Sequence, residues 1–212
     1  MSVKIHYEIF PPKQKQAFAW LVKQSDRLNK SHFYLAGGTS LALQIGHRQS
    51  VDFDFFSQSK ECASQLQTWL EGQKGSVLRD VGANTIHAEI KNVKLSFIGA
   101  YKYPLIDDPV LCQTLRLASI KDIALMKLLA LTHRATMRDY IDLAVIIRDH
   151  IPLGQLIQDS LKKYGKQLNP MIFLKALVSF EDIDQEMPAL MDYSLAKNAW
   201  KKILIKAVKA LA

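Results

Sequence analysis

The sequence predicts an α+β fold: a small mixed sheet with helices on one face, followed by an all-helical lobe. Three observations carry this expectation. Apolar and polar residues alternate with a period of two at 51–56, 85–90 and 93–98, all in the first half of the chain. From Ala118 onward the apolar spacing becomes helical. A chain of 212 residues with 49% hydrophobic and 23% charged side chains has the length and composition to bury a sizeable core. The change of pattern near 108–117 divides the chain into an α/β lobe at 1–112 and a helical lobe at 113–212.

Pro11-Pro12 opens a helix expected to reach about Asn29, with Phe18, Leu21, Val22 and Leu28 buried. Phe33 to Ala36 reads as a short strand, Gly37-Gly38 as a turn, and Thr39 to about Ile45 as a short helix. Gly46 to Ser50 loops back into a strand over Val51 to Phe56. Ser57 or Ser59 can cap the next helix, which runs to about Glu71. Val77 to Val81 is a strand, and Thr85–Ile90 and Val93–Ile98 form a hairpin about Lys91-Asn92. Pairing Ile90 with Val93 sets Glu89 opposite Lys94 and His87 opposite Ser96 on a polar face, while Ala88, Leu95 and Phe97 fill the apolar one. Ser119 caps a helix to about His133, and another follows from about Thr136 to Asp149. Further helices are expected at 153–164, 169–179 and 194–211, with an acidic loop over 181–186.

Bulk properties narrow the function. The net charge of +8 favours a polyanionic partner such as nucleic acid. The basic residues are spread out except at the C-terminal end, where Lys197, Lys201, Lys202, Lys206 and Lys209 form the outer face of an amphipathic helix. Cys62 and Cys112 lack metal-binding spacing and are expected to be buried or inert in a reducing compartment. No apolar run approaches the roughly 20 residues of a membrane span, and Met1 to Phe10 lacks a signal-peptide core. A cytoplasmic protein is expected.

The chemistry concentrates between Leu35 and Phe56. Gly37 and Gly38 permit a sharp turn and let a ligand approach the main chain. The free N–H groups and positive dipole end of the following helix favour phosphate, and Thr39 and Ser40 add hydroxyls. On the next strand Asp52 and Asp54 share one face, opposite Val51, Phe53 and Phe55. Two such carboxylates are costly to bury unless paired or metal-bound, and hard oxygen ligands suit Mg²⁺ bridging to phosphate. Lys127 interrupts an apolar helix, so it either snorkels to solvent or reaches an anion. Arg134 and Arg138 follow it at spacings that one helical stripe could accommodate, and Arg138 and Asp142 are spaced as an i, i+4 ion pair.

In these residues the chain resembles the polymerase β-like nucleotidyltransferase superfamily, whose signature is Gly-(Gly/Ser) followed, after a spacer of this length, by Asp-x-(Asp/Glu). Within it the chain is similar to the AbiEii/AbiGii toxin family. The likeness runs through Leu35–Phe56, Val93–Phe97, Leu117–Lys127, Arg138–Leu143 and Lys175–Asp182, and covers about residues 12–202. It implies a Mg²⁺-dependent enzyme that moves an NMP from an NTP to an acceptor hydroxyl while pyrophosphate leaves. Asp52 and Asp54 would hold the metal. Gly37, Gly38, Thr39 and Ser40 would cradle phosphates, and Lys127 would steady the triphosphate. The resemblance also brings Arg138, Asp139 and Asp142 into the active site; the i, i+4 pairing with Arg138 points to Asp142 as the one facing the cleft. An RNA acceptor, tRNA especially, and a helix-turn-helix antitoxin partner are implied as well. One departure stands out: Ser96 occupies the place of the superfamily's third carboxylate, with Glu89 on the same hairpin face as a possible substitute. That departure leaves a non-catalytic nucleotide- or RNA-binding module as the alternative. A small-molecule acceptor is a third reading, which the +8 charge disfavours.

Overall fold

The computed structural model describes residues 4–60, 62–165, 169–181, 183 and 186–211, with the backbone alone at 62–64. In chain order its elements are α1 (Pro12–Lys23), α2 (Ser25–Lys30), β1 (Tyr34–Ala36), α3 (Gly37–Ile45), β2 (Phe53–Phe56), α4 (Cys62–Glu71), β3 (Ser76–Val81), β4 (Thr85–Ile90) and β5 (Val93–Ile98). There follow β6 (Val110–Cys112), β7 (Leu115–Leu117), α5 (Ile120–Leu131), α6 (Met137–Asp149), α7 (Leu153–Tyr164), α8 (Pro170–Val178) and α9 (Ala199–Lys209).

The described strands form one mixed sheet in the order β3-β4-β5-β2-β1-β7-β6. β2 lies parallel to β5 and antiparallel to β1, while β1 is parallel to β7. The β4–β5 register matches the sequence expectation pair for pair, from Ile90 opposite Val93 to His87 opposite Ser96. A one-residue slip would turn Ala88, Leu95 and Phe97 out of the core, so burial of one face fixes it. The hairpin β6–β7 was not anticipated: its strands have three residues each, too short to show a period, and it lies across the expected lobe boundary.

The two faces of the sheet build two cores. Leu35, Phe53, Phe55, Leu95 and Phe97 pack against Phe18, Leu21 and Leu28 from α1 and α2 and against Leu66 and Leu70 from α4. The predicted first helix is in fact two, because Gln24 leaves helical geometry (φ −99°, ψ 4°) and Ser25 turns inward to donate to Thr114 Oγ1 at 2.7 Å. On the other face Tyr34 and Ala36 meet Leu41, Leu125, Leu128, Ile141 and Trp200 from α3, α5, α6 and α9. Capping fixes where the central helices start. Ser119 accepts from the Asp122 N–H at 3.0 Å, and Thr136 caps α6. Helix α9 begins at Ala199 rather than 194, after a separate 3₁₀ turn at Tyr193–Leu195. Cys112 is a buried free thiol; the Cys62 side chain, the residue preceding α4 and Asp182, Asp184 and Gln185 of the acidic loop lie outside the described residues.

Two ties join segments distant in sequence. The loop after α3 is joined to the C-terminal part of the chain by a bridge between Arg48 and Leu190, with Gln49 N donating to Ala189 O at 2.8 Å. The connection after β5 is pinned by Asp122, which accepts from the Ile106 and Asp107 amides at 2.9 and 3.1 Å and from Lys163.

Candidate active site

Gly37 sits at φ +65°, a region that L side chains avoid, and so the chain can turn straight from β1 into α3. A Cβ on Gly37 would stand 2.8 Å from Asp54 Oδ2, and one on Gly38 would collide with Arg48 Nη2. The glycines therefore let the carboxylate of β2 and the guanidinium of the following loop close against the start of α3. Asp52 and Asp54 line a cavity of about 230 Å³ together with Gly37, Gly38, Ser50, Arg134 and Arg138. A second cavity of about 390 Å³ adjoins it, sharing Gly37, Asp54, Lys127, Arg134 and Asp139. Its further walls are largely apolar, from Phe56, Ile98, Tyr101 and Met126, with His87, Ser96 and His133 among them.

The Asp54 carboxyl is pushed up by burial and by the neighbouring Asp52, against the opposing pull of the Ser96 hydroxyl, which donates to it, and of Lys127 and Arg134. Ser96 is in register with Asp54 across β5 and β2. Glu89 does not stand in for the missing carboxylate: it faces Arg79 Nη2 at 2.8 Å and lines neither cavity.

Behind the cavities lies a buried charge cluster that the sequence did not reveal. Asp142 is fully buried, and its Oδ1 and Oδ2 accept from Arg48 Nε and Nη2 at 2.6 and 2.7 Å. Lys127 Nζ bridges Asp142 Oδ2 and Asp139 Oδ1, both at 2.7 Å, and His47 Nε2 lies 2.6 Å from Asp142 Oδ1. Burial alone would raise the Asp142 carboxyl, but Arg48 and Lys127 hold it well below the usual carboxylate range. Burial likewise opposes the charge on Lys127, yet Asp139 and Asp142 outweigh it and raise its pKa. His47 is pushed down chiefly by burial, so its neutral ring donates to Asp142.

Several expectations change. Asp142 does not pair with Arg138 and does not face the cleft, because Arg48 and Lys127 draw it inward; Asp139, one turn earlier, lines both cavities. Arg138 points towards Glu186 at 4.0 Å and into the smaller cavity. Lys127 neither snorkels nor stands alone. Thr39 and Ser40 are buried with their hydroxyls outside the cavities: Thr39 Oγ1 donates to Asp52 O and lies 2.8 Å from Ser50 Oγ, and Ser40 packs beside Gln44. Ser50 takes their place at the cavity wall. The chain breaks between α5 and α6, so Arg134 reaches the cavities from a loop. His47 and Arg48 were missed since their partner lies 95 and 94 residues away; the only local signal was two basic residues in the loop before Asp52.

The protein is similar to known ones over most of its length. An uncharacterized protein of Aquifex aeolicus is 34% identical over 159 residues, 73% of this chain and 77% of the relative. The nucleotidyltransferase toxin MenT4 of Mycobacterium tuberculosis superposes with a TM-score of 0.62 at 18% identity, covering 93% of this chain and 84% of that one. A putative nucleotidyltransferase from H. pylori gives 0.54, also at 18% identity, over 95% and 97%. These likenesses show that the mixed sheet with its helical C-terminal portion is a nucleotidyltransferase fold. The sequence model of the AbiEii nucleotidyltransferase toxins of type IV toxin–antitoxin systems matches residues 20–210, and the chain belongs to that family.

Proposed function

We propose that the protein transfers a nucleoside monophosphate from an NTP to a hydroxyl of RNA, with Asp52 and Asp54 as the metal-holding pair. The observation that carries the reading is the small cavity, where two carboxylates meet the start of α3 with Arg134 and Arg138 among the other lining residues. Among the described residues no cluster of three or more ligating side chains exists. That donor set suits Mg²⁺, which is ordinarily bound by one or two carboxylates with phosphate oxygens and waters completing the shell. Asp54, buried beside Asp52, brings two carboxylates close together for a cation to neutralise, and the missing Cβ of Gly37 lets Asp54 close against the start of α3. When bound, the ion supplies charge neutralisation on the transferred phosphoryl group and lowers the pKa of a coordinated hydroxyl.

The chain's own groups do the positioning. The N-terminus of α3 receives phosphate oxygens, and Arg134 and Arg138 offset the charge of the leaving pyrophosphate. Lys127, set between Asp139 and Asp142, presents a fixed cation at the shared wall of the cavities. Asp142 acts through Lys127 and Arg48 as a positioning residue. The +8 charge supports an RNA acceptor, and membership of a toxin–antitoxin family supports an antitoxin partner, for which a helix-turn-helix protein is our reading.

The test is incubation with each labelled NTP, Mg²⁺ and total tRNA. Wild-type protein is expected to label RNA, and Asp54→Asn to abolish labelling while leaving the circular dichroism spectrum unchanged. Full activity in Asp54→Asn sinks the metal assignment. NTP binding by wild-type protein without labelled RNA supports the non-catalytic module instead.

A further inference from the structure

We infer that His87 is the general base that takes the proton from the acceptor hydroxyl. The inference rests on the nucleotidyl-transfer reading of the same site. Displacement at phosphorus needs the attacking and leaving oxygens roughly in line. With pyrophosphate seated among Gly38, Arg134 and Arg138 in the small cavity, the acceptor must approach Asp54 from the other side, which is the larger cavity.

Few groups there are free to accept a proton. The Asp54 carboxylate is assigned to the metal, and Asp139 is engaged at both oxygens, by Lys127 Nζ and by the Thr136 hydroxyl, each at 2.7 Å. The Ser96 hydroxyl is committed to Asp54, and burial pushes the Tyr101 phenol up to about 12. Two imidazoles remain, His87 and His133. His87 stands on β4 directly opposite Ser96, which is itself in register with Asp54, so the three form a row across β4, β5 and β2 on one face of the sheet. His133 is held by the segment after α5, with no such register to Asp54. His87 is exposed, its ring is in no hydrogen bond or ion pair among the described residues, and its other cross-strand partner is Asp80 on β3. The charged groups around it are Asp80 and, through its pair with Glu89, Arg79 from β3; Glu89 on its own strand; Lys94 on β5; Asp54 from β2; and Lys127, Arg134 and Asp139, which line the same cavity from the helical part of the chain. A rigid sheet thus offers an imidazole where acceptor chemistry needs a base.

In the step, the acceptor O–H proton passes to the free ring nitrogen of His87 as the acceptor oxygen bonds to the α-phosphorus. The bond from that phosphorus to the bridging oxygen breaks, its electron pair leaves with pyrophosphate, and the imidazolium returns its proton to solvent.

The experiment measures transfer of label from NTP to total tRNA at saturating NTP, beside NTP affinity, for wild type, His87→Gln, His87→Ala, His133→Gln, Asp54→Asn and the exposed, distant His150→Gln. His87→Gln is expected to lower the transfer rate about 10²- to 10⁴-fold with NTP affinity within about threefold of wild type. It should also lose the acid limb of the pH–rate profile, and added imidazole should restore part of the rate of His87→Ala. His150→Gln should behave as wild type. Transfer by His87→Gln within about threefold of wild type, while Asp54→Asn is inactive, overturns the role of His87 and leaves the functional reading standing. Loss confined to His133→Gln assigns the base to that ring and overturns the proposal equally. No transfer by wild type, or full transfer by Asp54→Asn, overturns the functional reading itself.

Discussion

Asp142 shows how much one carboxylate can organise. Its two oxygens satisfy a bidentate arginine, a lysine and a histidine, all buried, and the cluster therefore ties α6 to α5 and to the loop that leads into β2. Burying such charges is affordable only while every member has its partner. Asp142→Asn keeps the shape and removes the charge, leaving Arg48 and Lys127 in excess of the anions around them. The expected loss is about 3–5 kcal/mol, read from the midpoint of urea denaturation. Transfer activity should fall further than stability accounts for, because Lys127 loses one of its two anchors. The same cluster explains why local spacing misled: an i, i+4 pair with Arg138 on the surface is worth a few tenths of a kcal/mol, and a buried bidentate arginine outcompetes it.

At the level of elements, the caps decide how the site is held. Thr136 Oγ1 donates to Asp139 Oδ2 at 2.7 Å while the Asp139 N–H returns to Thr136, so one residue both starts α6 and steadies the carboxylate that faces Lys127. Thr136→Ala should cost about 1 kcal/mol of stability, measured in urea. It should also raise the KM for NTP more than it lowers kcat, since Asp139 then moves freely beside the cavity. The Ser119 cap was legible, because it stands just before an apolar-periodic run, whereas Thr136 was read as the start of its helix and the structure makes it the cap. The β4–β5 hairpin was legible for the same kind of reason: six-residue strands with a single buried face admit one register. The three-residue strands β6 and β7 were not, since so short a stretch has no period to read.

For the molecule as a whole, the loop after α3 meets α6 over a buried histidine, and acid should act there. Burial lowers the pKa of His47 in the folded state, so between that lowered value and about 6.5 the unfolded chain binds a proton that the folded chain refuses. Stability therefore falls as pH drops below about 6.5, and the loss deepens at lower pH as Asp139 and Asp142, whose pKa values are depressed, take up protons. Urea midpoints from pH 8 to 5 should decline, and His47→Gln should flatten the upper part of the decline. An unchanged slope in that variant places the titrating group elsewhere.

Sequence alone determined the strand that carries Asp54, though it begins at Phe53 and leaves Asp52 just before it, the glycine turn that opens α3, the hairpin register that puts His87 and Ser96 face to face, and the helices that supply Lys127 and Asp139. Each follows from local rules of period, capping and turn chemistry. Only the tertiary structure decided that Asp142 turns inward to Arg48 and His47, that Ser50 rather than Thr39 or Ser40 lines the smaller cavity, and that Glu89 is spent on Arg79. Those outcomes are competitions between partners distant in sequence, or between strands whose pairing brings them together. They are settled by which pairing satisfies a buried charge best, and that depends on how the helices after β7 pack against the sheet and α3.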